Sequence, residues 1–302
     1  MTVTAILLLL ISAILHASWN FIGKRNAPEA AAFLVASIVG VFCLAPFPVL
    51  YPGAIGYFSQ EVWLLVFGAG CFQAFYYTAL AGAYRSGDMS IAYPIARSSP
   101  VIVVTVVSLL LGRGDQVSGQ CITGIVFVVV GGFFLPMRRF DDFRMGNYFN
   151  ISCLLALAAA FGTAGYSIVD DEALRLLRQT LGSPMAAWQI TGVYAFFEAL
   201  TTVAWMGVFV ISRKRERIAF CSIISRHFGS GAAMGLAIHL TYLMVLISMA
   251  FVSNVSYVVA FRQVSIPLGV LMGVMFLKEP GHRPKCVGVI VIFAGLILVG
   301  AG

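Results

Sequence analysis

Residues 92–112 read AYPIARSSPVIVVTVVSLLLG. A membrane-spanning β-strand alternates apolar and polar residues over about ten positions, and residues 101–112 do not alternate. A continuous apolar run crosses a bilayer as an α-helix, because a helix satisfies its own backbone groups. The start of the stretch works against a regular helix. Pro94 and Pro100 each lack a backbone donor, and each clashes with the carbonyl four residues earlier. Arg97, between them, costs roughly 2.5–3.5 kcal/mol at the centre of a spanning helix. The stretch therefore predicts a kinked, cation-bearing helix facing a polar cavity.

The rest of the chain has the same character. It is 60% hydrophobic and 10% charged, against about 25% charged for soluble proteins. Its 302 residues accommodate about ten spans of roughly 20 residues. The apolar runs fall at 3–22, 30–51, 61–83, 90–111, 117–136, 147–169, 185–211, 229–250, 254–277 and 284–301. The expected fold is an all-α integral membrane protein with ten transmembrane helices. The opening MTVTAILLLLISAIL has no basic flank before its apolar run, which makes it a retained first span rather than a secretory leader. The six cysteines are scattered without CxxC spacing and are expected to be small buried hydrophobes.

A net charge of +7 raises the question of nucleic acid, but the basic residues sit in short loops, above all SRKRER at 212–217, where they orient helices. Loops after odd-numbered spans hold fourteen Lys and Arg, and loops after even-numbered spans hold Arg113, Arg175 and Arg178 alone. The positive-inside rule then puts the odd loops in the cytoplasm and both termini on the other side of the cell's inner (plasma) membrane. The expected surroundings are the lipid bilayer and a small-molecule substrate, with no nucleic acid, and a monomer or homodimer.

The two halves look alike. An offset of 166 residues sets Asp88 on Asn254, Ser90 on Ser256, Ser99 on Ser265 and Leu111 on Leu277. Halves 1–146 and 147–302, of five spans each, have opposite membrane orientation. This is the inverted-repeat arrangement of many secondary transporters, with the substrate site near the midplane.

Three stretches carry a family resemblance: LHASWNFIGKR (15–25), YRSGDMSIAYPIARSSPV (84–101) and MFLKEPGHRPKCVGVIVIFAGLILVG (275–300). Together they resemble the drug/metabolite transporter superfamily, EamA type, over nearly the whole chain. Glu279-Pro280 before a Gly-rich helix is common in that family. The first-half counterpart, Leu111-Gly112-Arg113-Gly114, lacks the glutamate. The resemblance implies a secondary transporter of small metabolites that does not hydrolyse ATP, and it supplies no catalytic motif, cofactor or metal site.

Polar residues within spans are few. Arg97 and Arg262 lie at similar depths in the two halves and are candidates to hold an anionic group bidentately. Tyr93 precedes Arg97 by one helical turn, so the two share a face. His16 and Asn20 share a face beside Trp19, and His239 lies in the eighth span. Each of these is a candidate to contact a polar solute, or to hydrogen-bond across a helix interface. Glu198, the one acid read as deep within a span, is a candidate proton carrier or a structural ion-pair partner of an arginine. Pro94, Pro100 and Pro267 are candidate helix-breaking positions. The spacings GAAMG (231–235) and GVLMG (269–273) predict close helix approach. Residues 170–182, DDEALRLLRQTLG, suggest a short interfacial helix.

The expected function is a secondary transporter, in the exporting direction, of a zwitterionic or anionic metabolite such as an amino acid or aminophosphonate. It would work by alternating access, with proton coupling through Glu198. Lipid flipping and a structural helix bundle are the alternatives. An integral-membrane enzyme stands last, since the sequence holds no HExxH, GxSxG or P-loop and its four histidines lie in different segments without metal-ligand spacing.

Overall fold

The computed structural model describes residues 3–26, 28–110, 118–179, 185–249 and 263–301. All regular structure among them is helical. The α-helices are α1 (Val3–Asn26), α2 (Ala30–Leu44), α3 (Pro46–Leu50), α4 (Gln60–Ser86), α5 (Met89–Ser98), α6 (Pro100–Leu110), α7 (Gly119–Phe134), α8 (Ile151–Gln179), α9 (Ala187–Ser212), α10 (Lys214–Arg226), α11 (Phe228–Met249), α12 (Ser265–Phe276) and α13 (Arg283–Ala301). Seven segments of the described residues are long and apolar enough to cross a membrane: Ile6–Arg25, Ala30–Leu50, Gln60–Ser86, Met89–Val107, Ile151–Leu177, Trp188–Ser212 and Arg283–Gly300. The chain is an all-α membrane protein. Large apolar side chains such as Leu64, Phe67, Val208, Ile211 and Ile290 are exposed on these helices, where lipid rather than water is the solvent.

The chain forms two compact units, residues 1–28, 79–161 and 237–302 in the first and 29–78 and 162–236 in the second. Each unit draws on both sequence halves.

In unit one, α7 and α13 are the most closely packed helix pair. A Cβ on Gly131 would lie 2.7 Å from the Gly288 carbonyl oxygen, and one on Gly124 would lie 2.5 Å from that of Gly295. Both helices repeat glycine at seven residues in opposite chain directions, so they run antiparallel with their backbones in contact. α12 packs on α5 and α1. The turn between α4 and α5 is held from both sides. Lys24 Nζ donates to the Tyr84 carbonyl and, at 2.7 Å, to that of Gly87, placing a cation at the negative end of the α4 dipole. The Glu279 carboxylate accepts Met89 N at 2.7 Å and Ser90 N at 2.8 Å, satisfying two of the free N–H groups that open α5. Lys285, 1% exposed, donates to Ser90 Oγ at 2.8 Å and the Pro280 carbonyl at 2.6 Å.

In unit two, α2 packs along α9 and α10 packs on α2. Ala54, Phe58, Val62, Val66, Ala173, Leu177, Ile190, Val193 and Tyr194 form an apolar core. The basic segment read as a loop at 212–217 is instead the last residue of α9, the single connecting residue Arg213 and the first turn of α10. Its Glu216, 4% exposed, accepts Ala31 N at 3.0 Å, and Arg215 pairs with Glu29 at 2.7 Å, which ties the helix to the start of α2. The separate interfacial helix expected from residue 170 is a second correction. α8 runs unbroken through Gln179, because the sequence DDEALRLL continues with good helix formers and no Pro or Gly. The cysteines form a third: Cys153 is buried, but Cys43, Cys71, Cys221 and Cys286 are exposed. A cysteine is apolar enough to face lipid as readily as a core.

The two small-residue spacings do bring helices together. A Cβ on Gly231 would meet Val35 Cγ1 at 2.7 Å, one on Gly235 the Ala36 carbonyl at 2.6 Å, and one on Gly269 the Tyr93 ring at 2.4 Å.

Candidate functional site

The fourth apolar run is broken where its prolines and arginine stand. α5 ends at Ser98, Ser99 bridges, and Pro100 is the first residue of α6. Pro100 removes the donor that the Ala96 carbonyl would have used. Pro94 does not break the helix: α5 continues through it to Ser98, whose hydroxyl donates to the Pro94 carbonyl at 2.7 Å. Pro267 is the third residue of α12, just after the turn at 263–264, where a helix has no use for an N–H donor. Pro100 and Pro267 thus stand in the first turns of their helices, and Pro94 stands inside one.

Tyr93 and Arg97 lie one turn apart on α5. Tyr93 is 2% exposed, with its ring against Gly269 of α12 and 6.2 Å from the His16 ring on α1. His16 in turn stands edge-on to Trp19 at 5.0 Å. Arg97 is half-buried. Its Nε is buried and has no hydrogen-bond partner among the described residues, and the same holds for Gln263 Oε1 and Ser265 Oγ near the start of α12. A buried donor without an acceptor is costly unless something else satisfies it. Unit one thus gathers an imidazole, an indole, a phenol and a guanidinium from α1 and α5, with α12 packed on both helices. Such a set can orient a polar solute carrying a negative group.

Asn20 has a different occupation. It is fully buried, its Nδ2 donates to the His16 carbonyl at 2.8 Å, and its Oδ1 accepts the Tyr84 hydroxyl at 2.6 Å. It therefore joins α1 to α4, as an interhelical polar bond does in membranes. His239 lies half-buried on α11 within unit one. Arg262 lies outside the described residues.

Glu198 belongs to unit two, on α9. It is not the one acid within a span: Asp170 lies inside Ile151–Leu177 and accepts the Tyr194 hydroxyl at 2.6 Å. Tyr194 and Glu198 are one turn apart on α9, and Glu198 is in electrostatic reach of Asp170 and Tyr77. Asp170 was missed because residues 170–171, two acids in a row, read as the end of a span. The Glu279, Lys285 and Lys24 contacts were also missed, since charged residues in short loops read as orientation signals alone.

No family model and no curated protein matches the chain. Solved structures do match in fold. One, described simply as "Crystal structure of protein", superposes with a TM-score of 0.51 at 19% identity, covering 98% of this chain and 93% of its own. At that identity the likeness is one of fold.

Proposed function

We propose that this chain is a secondary transporter of a small zwitterionic or anionic metabolite, of amino acid or aminophosphonate type, built on the ten-helix, inverted-repeat plan of EamA-type transporters. The observation that carries the proposal is Arg97 on a broken span, with a buried Nε that finds no partner among the described residues. In an apolar surround, such a cation is retained where a ligand completes it. Arg97 holds the anionic group, Tyr93 and His16 orient the solute, and rocking of helices about the site alternates access. Glu198 carries the coupled proton.

The repeat has support in the helix ends. Adding the 166-residue offset to α6 gives 266–276, against 265–276 for α12. The same shift of α7 gives 285–300, against 283–301 for α13. The inner-membrane location and the placement of both termini outside the cytoplasm rest on the proposal and the charge count together.

The deciding experiment is a thermal-shift screen of the detergent-purified protein with amino acids, aminophosphonates, sugar acids and organic cations, with Arg97→Gln in parallel. Stabilisation by one anionic or zwitterionic class, lost in the variant, supports the assignment. Equal responses of the two proteins, or a response to cations only, would sink it.

A further inference from the structure

Unit one contains a polar cavity of about 330 Å³ whose lining includes neither Tyr93 nor Arg97. Its lining includes Asp88, Arg138, Asn147, His282 and Lys285. It is bounded on one side by the 135–150 loop, which the 2.8 Å bond from the Tyr148 hydroxyl to the Phe133 carbonyl and the 3.1 Å bond from Asn147 Nδ2 to the Asp142 carbonyl hold in place. Tyr148 keeps its proton, because burial and then the nearby Asp142 push its pKa up.

The charges of the loop are sorted. Arg139 pairs with Asp141 at 3.4 Å and Arg144 with Asp142 at 3.0 Å. Arg138 has no ion-pair partner among the described residues, and it is the loop arginine that lines the cavity. Deeper in, Lys285 has two of its three N–H groups committed to Ser90 Oγ and the Pro280 carbonyl. The third is left toward Asp88, whose carboxylate at 3.8 Å is beyond hydrogen-bond distance. Lys285 faces the carboxylates of Asp88 and Glu279, whereas Arg138 is exposed at the cavity with neither, which leaves one guanidinium for a singly charged anion.

The flank of the cavity is apolar. On the same loop Phe140, Phe143, Met145 and Phe149 are 56%, 57%, 60% and 67% exposed. Four large apolar side chains so exposed beside paired arginines match the interfacial zone of a bilayer, where aromatic and basic residues anchor at headgroup level. We infer that this cavity binds the phosphodiester headgroup of an anionic lipid, with Arg138 on the phosphate and the loop aromatics set among the acyl chains. A free phosphate would satisfy the same guanidinium but would give the aromatics no role, which favours the lipid.

The inference is tested by thermal stability of the full-length protein in detergent, titrated with short-chain phosphatidylglycerol, phosphatidylcholine, glycerol phosphate or inorganic phosphate. Arg138→Gln is compared with Arg139→Gln, which removes a paired arginine outside the cavity. Phosphatidylglycerol is expected to stabilise wild type and Arg139→Gln alike. Arg138→Gln should need about tenfold more lipid, the equivalent of one lost charge-assisted hydrogen bond. Equal weakening in both variants would mean non-specific attraction, and phosphatidylcholine as effective as phosphatidylglycerol would mean no headgroup recognition. Glycerol phosphate or inorganic phosphate giving the full effect would assign the site to a soluble anion. Each of these three results overturns the proposal.

Discussion

Glu279 closes the start of α5 from 190 residues away, its Oε1 accepting the Met89 N–H at 2.7 Å and its Oε2 that of Ser90 at 2.8 Å. The carboxylate is 8% exposed, so both bonds are made away from water, and a charged acceptor makes each one stronger than a neutral pair. Glu279→Ala is expected to destabilise the protein by about 2–4 kcal/mol, through two buried donors left without an acceptor. Glu279→Gln retains one oxygen and should lose roughly half of that. Thermal unfolding in detergent measures both, and equal stability of all three proteins would mean that water replaces the carboxylate.

The other side of the same turn is held by Lys24, on the carbonyls of Tyr84 and Gly87. Lys24 and Glu279 act on the two ends of one short connection, so their effects should not add. A cycle of Lys24→Met, Glu279→Gln and the double variant is expected to show a coupling of about 0.5–2 kcal/mol. Additivity within error would mean that the ends of α4 and α5 are fixed independently.

Much of this molecule is legible in the sequence for one physical reason. A bilayer demands about 20 apolar residues per crossing, and that demand fixes helix positions to within a few residues wherever lipid is the solvent. α11, expected at 229–250, runs from Phe228 to Met249. The break at Pro100 was legible as well, because a proline inside an apolar run costs a backbone bond. What pattern cannot carry is partnership across the chain. Glu279 looks like part of a loop until Met89 is beside it, and Asn20 looks free to meet a solute until Tyr84 takes its oxygen. The end of α8 was misplaced for a related reason: charge at 170–172 marks a change of surroundings, whereas a helix ends only where its backbone is interrupted. The two compact units were beyond reach, since each collects segments far apart in sequence.

Adjacent glycines on α7 give a sharp test of the α7–α13 contact. A Cβ on Gly131 would lie 2.7 Å from the Gly288 carbonyl oxygen, whereas one on Gly132 meets nothing within 4 Å. The Gly131 contact is with backbone, which cannot rotate away. Gly131→Ala is expected to cost about 1–3 kcal/mol by overpacking. Gly132→Ala should be neutral or stabilise by up to about 1 kcal/mol through helix propensity. Matching melting temperatures for the two variants would show that the helices are free to separate slightly.

Gly269 tests the candidate site itself. A methyl group there would sit 2.4 Å from Tyr93 Cε1, so the ring must move, and with it the face that Tyr93 turns toward His16. Gly269→Ala is expected to weaken binding of the stabilising ligand by about tenfold, the cost of a displaced ordering contact of roughly 1.4 kcal/mol. Tyr93→Phe keeps the ring in place, so in a thermal-shift titration it should weaken binding only by what the hydroxyl itself contributes. If Gly269→Ala binds as wild type does, Tyr93 serves packing rather than recognition.

Glu198 is expected to be needed for proton movement and dispensable for the fold. Glu198→Gln keeps the shape of the side chain and removes its ability to release a proton. The purified variant should therefore keep the wild-type far-UV circular dichroism and its ligand-induced thermal shift. In proteoliposomes, ligand-driven proton flux should fall to the level of protein-free vesicles. Tyr194→Phe provides the contrast, since it removes the hydroxyl bonded to Asp170 at 2.6 Å and keeps the Glu198 carboxyl itself in place. It should cost about 1 kcal/mol of stability while flux persists. Because the two residues are one turn apart on α9, a general disturbance of that face would impair both variants together. Loss of flux in Glu198→Gln alone assigns the proton to Glu198. Wild-type flux in Glu198→Gln would assign that carboxyl to packing and move the search for the coupling group to Asp170.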